Sequence, residues 1–149
     1  MAQLDDRELA TQLFNRCWEL LESTRDADGD VELLTVAFSA RYHWLNAGEL
    51  EQWIVSDWMV ARVASALGDG ALALRFAQRA QAAAQDNEVP DWLVASTAEG
   101  VARAYATTGN VEEFNNYAAL ATRLIDVIAD PEHVVTPDAE EPVLGFPKA

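Results

Sequence analysis

The chain is poor in the residues that staple, kink or catalyse. Its one cysteine, Cys17, falls among Leu13, Phe14, Leu20 and Leu21 and reads as a small core residue, so no internal disulfide can form. The only histidines are His43 and His133, and without further His or Cys at ligand spacing no metal site is expected. No Ser or Cys stands in a motif with a histidine, and the glycines punctuate turns instead of forming a phosphate loop. Neither a catalytic residue nor a cofactor is therefore expected. No apolar run approaches the ~20 residues that a membrane helix needs, and no apolar–polar alternation between turn residues marks a strand. Positive charge is scarce too: 10 bases stand against 25 acids, for a net charge of −15. Such a field repels phosphates and anionic lipid, which argues against nucleic-acid and membrane partners and favours solubility and basic protein partners. The polar, acidic first residues carry no leader pattern, so the expected address is cytoplasmic.

What the chain does have is helical periodicity, cut by turn residues. Leu9, Leu13, Phe14, Cys17, Leu20 and Leu21 share a face over residues 5–23. The acidic stretch from Arg25 to Asp30 reads as a turn before a helix over 31–47, which Gly48 ends as a left-handed terminator. Further helices are expected over 49–67, 71–86, 91–108 and 111–129, with Pro90 opening the fifth in its first turn. Beyond residue 130 the composition changes, and four of the five prolines lie there. Residues 131–149 read as a Pro-rich, acidic and mobile tail following a helical repeat domain of residues 1–130. Within it, Val143-Leu144-Gly145-Phe146-Pro147 is a short apolar patch able to dock in a groove.

Internal similarity is the strongest signal. Val60-Ala61-Arg62 and the turn Gly68-Asp69 align with Val101-Ala102-Arg103 and the turn Gly109-Asn110. Ala73, Phe76, Ala77 and Ala80 after the first turn match Phe114, Tyr117, Ala118 and Ala121 after the second. A period of about 40 residues centred on a turn marks stacked helical hairpins, because one hairpin cannot bury its own apolar face. The run from Ala66 to Ala80, with Leu67-Gly68-Asp69 and Phe76, resembles the turn and second helix of a tetratricopeptide repeat, and Tyr105 stands where its first helix carries an aromatic. The period is longer than usual, and Asp57 and Ala98 occupy positions where Trp is common. The run Ser39-Ala40-Arg41-Tyr42-His43-Trp44, followed by Glu51-Gln52-Trp53, is similar to a small bacterial repeat-like group of unassigned function. The resemblance implies an all-α fold, a right-handed stack of three antiparallel hairpins with a concave face that binds a peptide or protein.

Candidate site residues stand where the helical pattern is broken. Arg41 falls near the middle of the apolar arc formed by Leu33, Leu34, Ala37, Phe38, Ala40, Trp44 and Leu45. Asp57 falls on an almost wholly apolar helix, at a level where it can meet Arg41 across the Gly48 turn. An unpaired buried charge costs several kcal/mol, so the two are expected to pair, either as a packing contact or as a polar pocket with Tyr42 and His43. Trp44 and Trp58 read as core, Trp53 and Tyr42 as surface anchors. On the fifth helix Trp92, Ser96, Glu99 and Arg103 form a stripe opposite the apolar arc, with Glu99 and Arg103 at ion-pair spacing. The leading expectation is a non-enzymatic interaction module whose acidic concave groove, near Trp53 and Trp92, takes a basic or amphipathic protein segment. A small-molecule pocket around Arg41, Tyr42, His43 and Asp57, and a symmetric homodimer, are the alternatives.

Overall fold

The computed structural model describes residues 4–129. Over them the chain is all-helical: α1 (Asp6–Glu22), α2 (Ala27–Ala47), α3 (Leu50–Ala66), α4 (Gly70–Asp86), α5 (Asp91–Thr108) and α6 (Val111–Ala129). No strand occurs among the described residues, and no helix there is long and apolar enough to cross a membrane. The tail expected beyond residue 130 lies outside the described residues, as does His133.

The ends of the helices follow from local chemistry. Asp5 and Glu8 close a capping box at the start of α1, each side chain accepting from the other's backbone N–H at 2.9 and 3.0 Å. Helix α2 begins four residues earlier than expected. The side chain of Asp26 accepts from the N–H of Gly29, and Asp28 and Asp30 then sit in a first turn whose dipole favours acids. The acidic stretch is thus the first turn of the helix and not a loop before it. Gly48 is extended (φ −91°, ψ 176°), not left-handed. Its lack of a side chain serves close approach instead, since a Cβ there would lie 2.7 Å from the Trp44 carbonyl and 2.9 Å from Gln52 Cβ. The left-handed terminators are Gly68 and Gly109 (φ 78° and 82°). Pro90 is the N-cap of α5, its carbonyl accepting from the N–H groups of Leu93 and Val94.

Consecutive helices pack on one another, and α3 also touches α1 and α5. Side-chain pairs fix the directions. Asp6 meets His43 and Arg16 meets Glu32, so α1 and α2 run antiparallel. Arg41 meets Asp57 and Trp53 meets Trp44, so α2 and α3 do as well. Across hairpins the pairs are shifted by about one repeat. Trp18 packs on Trp58 with ring centroids 6.1 Å apart, and the Trp58 indole N–H donates to the Ser96 carbonyl at 3.2 Å. Phe38 likewise meets Phe76 edge-on at 5.5 Å. These three contacts join residues 38 to 40 apart in the sequence, and Trp58 takes part in two of them.

The core runs through these contacts: Phe14, Leu20, Leu33, Ile54, Trp58, Met59, Val60, Val63, Phe76, Leu93 and Val101 are all buried in it. Cys17 is fully buried there, and burial pushes its thiol up to about 12, which leaves it an inert core residue. Small residues on α4 and α5, Ala73, Ala77, Ala80, Ala95, Ala98 and Gly100, let the helices approach closely. A Cβ on Gly100 would stand 3.2 Å from the Trp58 ring.

Candidate functional site

Asp57 is the buried charge of the middle hairpin. The pairing expected from sequence is present: Arg41 Nε donates to Asp57 Oδ1 at 2.7 Å. A second cation, not foreseen, completes the arrangement. Arg79 of α4 lies with Nε 3.5 Å from Asp57 Oδ2, so each carboxylate oxygen faces its own guanidinium. The two arginines differ in setting. The Arg41 side chain is 21 % exposed and that of Asp57 10 %, whereas Arg79 is 56 % exposed. All three arginines in this region, Arg41, Arg75 and Arg79, place their guanidinium carbons within 6.0 Å of the Phe76 ring centre. The sequence signal for Arg79 was present but weak, because an Arg on an Ala- and Gln-rich helix reads as a solvated helix former.

These groups line a cleft of about 420 Å³ that opens between α2 and α4 with α3 as its floor. Its apolar walls come from Leu45, Leu50, Trp53 and Ile54, with Ala82 and Ala83 opposite. Trp53 is 42 % exposed, and its indole N–H donates to the Trp44 carbonyl at 3.0 Å, which holds the ring against the wall. Leu45 was expected in the buried arc of α2 but is exposed, and Phe38 stands at the boundary of exposure. The arc is wider than the partners α1 and α3 can cover, and its far edge becomes the cleft wall. The charged side chains lining the cleft are Arg41, Arg79 and Asp57, a local excess of positive charge in a strongly acidic chain.

Not every expected site residue comes to this cleft. His43 is turned the other way: its Nδ1 lies 2.7 Å from Asp6 Oδ1 of α1. Tyr42 is the most exposed aromatic described here, at 62 %, and its ring contact is with His43. Successive residues on a helix point ~100° apart, so Arg41, Tyr42 and His43 cannot share one pocket, and the four-residue pocket with Asp57 does not form. Trp92 and Ser96 are buried, not exposed in a groove. The stripe does not form one exposed face: the Ser96 carbonyl accepts from the Trp58 indole of α3, while Glu99 and Arg103 border α6. A groove shared by Trp53 and Trp92 is accordingly absent. The chain matches no protein-family model, and no curated protein or solved structure shows significant similarity to it. Fold and geometry alone carry the functional reading.

Glu99 and Arg103 do pair, as their spacing predicts, but half-buried and not on a solvated face. They lie at the edge of a second groove of about 370 Å³ between α5 and α6, walled by Phe114, Ala118, Ala121 and Ile125. Among the described residues no hydrogen bond reaches Glu99 Oε2 or Arg103 Nη1. Burial raises the Glu99 carboxyl above its ordinary value of 4.5, against the pull of Arg103 and Arg62. Burial likewise lowers Arg103, with Glu99 opposing and Arg62 assisting. The folded chain therefore holds the Glu99 proton more tightly than the unfolded chain, and stability from this group falls as pH rises upward from about 4.5. Glu99→Gln removes that loss. Urea melts from pH 4 to pH 7 should show the variant gaining on the parent as pH rises. A drift the other way would mean that pairing with Arg103 outweighs burial.

Proposed function

We propose that the chain is a non-enzymatic binding module, three antiparallel hairpins stacked as a right-handed tetratricopeptide-like superhelix, that seats a segment of another protein in the cleft between α2, α3 and α4. The observation that carries this reading is the juxtaposition of an exposed, hydrogen-bond-anchored Trp53 with Leu45 and Leu50 beside Arg79, whose guanidinium is only half engaged by Asp57. Large rings held rigidly at a cleft wall are typical binding anchors, because they bury area with little loss of side-chain freedom. The lateral contacts at one-repeat spacing and the contacts of α3 with both α1 and α5 support the superhelical stacking.

The cleft suits apolar side chains flanked by an acceptor oxygen, a carboxylate or a backbone carbonyl, for Arg79. The surrounding charge of −15 draws a partner that is basic elsewhere on its surface. Selection of a displayed peptide library on the full chain tests the reading. Enriched peptides should carry paired apolar residues, and their binding should fall at least tenfold on Trp53→Ala and on Leu45→Glu, both exposed positions whose replacement leaves the helical circular dichroism unchanged. Absence of enrichment, or binders indifferent to both substitutions, overturns it.

A further inference from the structure

The cleft has a candidate occupant in the same chain. Beyond α6 the sequence continues with Asp138, Glu140 and Glu141, followed at once by Pro142-Val143-Leu144-Gly145-Phe146. This order, carboxylates and then apolar residues, matches the lining of the cleft, where Arg41 and Arg79 adjoin Leu45, Leu50 and Trp53. We propose that residues 138–147 dock in the α2–α3–α4 cleft of their own chain, with a carboxylate on Arg79 and Leu144 or Phe146 against Trp53.

Three observations favour this occupant. The first is place. The cleft is lined by the last half of α4, through Arg79, Ala82 and Ala83. A four-residue link joins the end of α4 to the start of α5, and α6 returns along α5 from the Gly109 turn. The end of α6 at Ala129 therefore lies at the same end of the stack as the end of α4. Two helix spacings of 8–10 Å separate α6 from the cleft, roughly 20 Å, and the eleven residues from Ala129 to Glu140 span at most about 40 Å when extended. The second is charge. Glu49, Glu51 and Asp86 stand at nearby helix ends, but none of them lines the cleft, whose charged side chains are two arginines and one aspartate. The third is tethering. A free acidic peptide must approach a molecule of net charge −15, whereas a tethered one is held at an effective concentration of order millimolar whatever the long-range field. The other apolar groove, at Phe114, Ala118 and Ile125, offers no such excess of positive charge, since its Arg103 is paired with Glu99.

This inference uses the cleft geometry and not the proposal of an outside partner, although an outside segment would have to displace the tail. Nitrogen-15 NMR of the full chain tests it. The double variant Leu144→Ser/Phe146→Ser should move the Trp53 indole N–H signal and the amides of Leu45, Leu50 and Ala83, leaving those of Phe114, Ala118 and Ile125 in place. Arg79→Glu should produce the same displacement, and Glu140→Lys/Glu141→Lys added to Arg79→Glu should reverse it. Displacements at Phe114 and Ile125 instead would put the segment in the terminal groove, and no displacement anywhere would leave it undocked; either result overturns the proposal. So would displacements that grow with protein concentration, which would assign the occupant to a second copy.

Discussion

Trp58→Ala should cost the chain about 4–5 kcal/mol, at the upper end of the range for burying and then deleting a large aromatic. The indole is buried, packs on Trp18 of the preceding hairpin, donates to the Ser96 carbonyl of the following one, and fills the space left by Gly100. Truncation therefore removes contacts at two interfaces at once, the ring packing on Trp18 and the hydrogen bond to Ser96. Helix backbones joined by these contacts cannot collapse inward independently, so the cavity would persist. Against a total stability of about 5–15 kcal/mol such a loss leaves the fold marginal. Urea melts followed by circular dichroism check it. A cost under about 2 kcal/mol would mean that the hairpins are held together elsewhere. Trp53→Ala, which removes a ring already 42 % exposed, should by contrast cost about 1 kcal/mol or less.

The Arg41–Asp57–Arg79 triad should show strong non-additivity. Arg41→Met removes the 2.7 Å partner of a buried carboxylate. Its expected cost is about 2 kcal/mol, below the 3–5 kcal/mol of a fully buried pair, because the mobile, exposed Arg79 can close its 3.5 Å gap. Arg79→Met alone should cost under about 0.5 kcal/mol, as exposed ion pairs do. In the Arg41→Met background the same change leaves Asp57 with neither partner, and its cost should rise to about 2 kcal/mol. A further Asp57→Asn should then recover much of the total, since the neutral amide has no charge to strand. Denaturant melts of the set decide the matter. Simple additivity would show that Asp57 is already satisfied by water in the cleft and that the arginines only line it.

Much of the architecture was legible in the sequence, because a helix records its own start, stop and buried face within a few residues. The six helices, the glycines that end α3 and α5, the core places of Trp44 and Trp58, and the Arg41–Asp57 pair all follow from period, punctuation and the cost of an unpaired buried charge. Where a local rule had two outcomes, the sequence pointed the wrong way: Asp26 to Asp30 serve equally as a turn or as an acidic first helical turn, and the cap settled it. Gly48 serves a close approach, which depends on where Trp44 and Gln52 lie and not on backbone handedness.

Only the tertiary structure decided which faces remain open. A helix in a stack has neighbours on several sides, and their placement depends on crossing geometry that no single helix encodes. Trp92 and Ser96 look solvated on the wheel of α5, yet both are buried in the folded chain. Leu45 looks buried on the wheel of α2, yet it is exposed and lines the cleft together with Ala82 and Ala83 of α4. The positive lining of that cleft was hidden for the same reason. Arg41, Arg79 and Asp57 lie on three different helices, and only packing brings their charges within reach of one another.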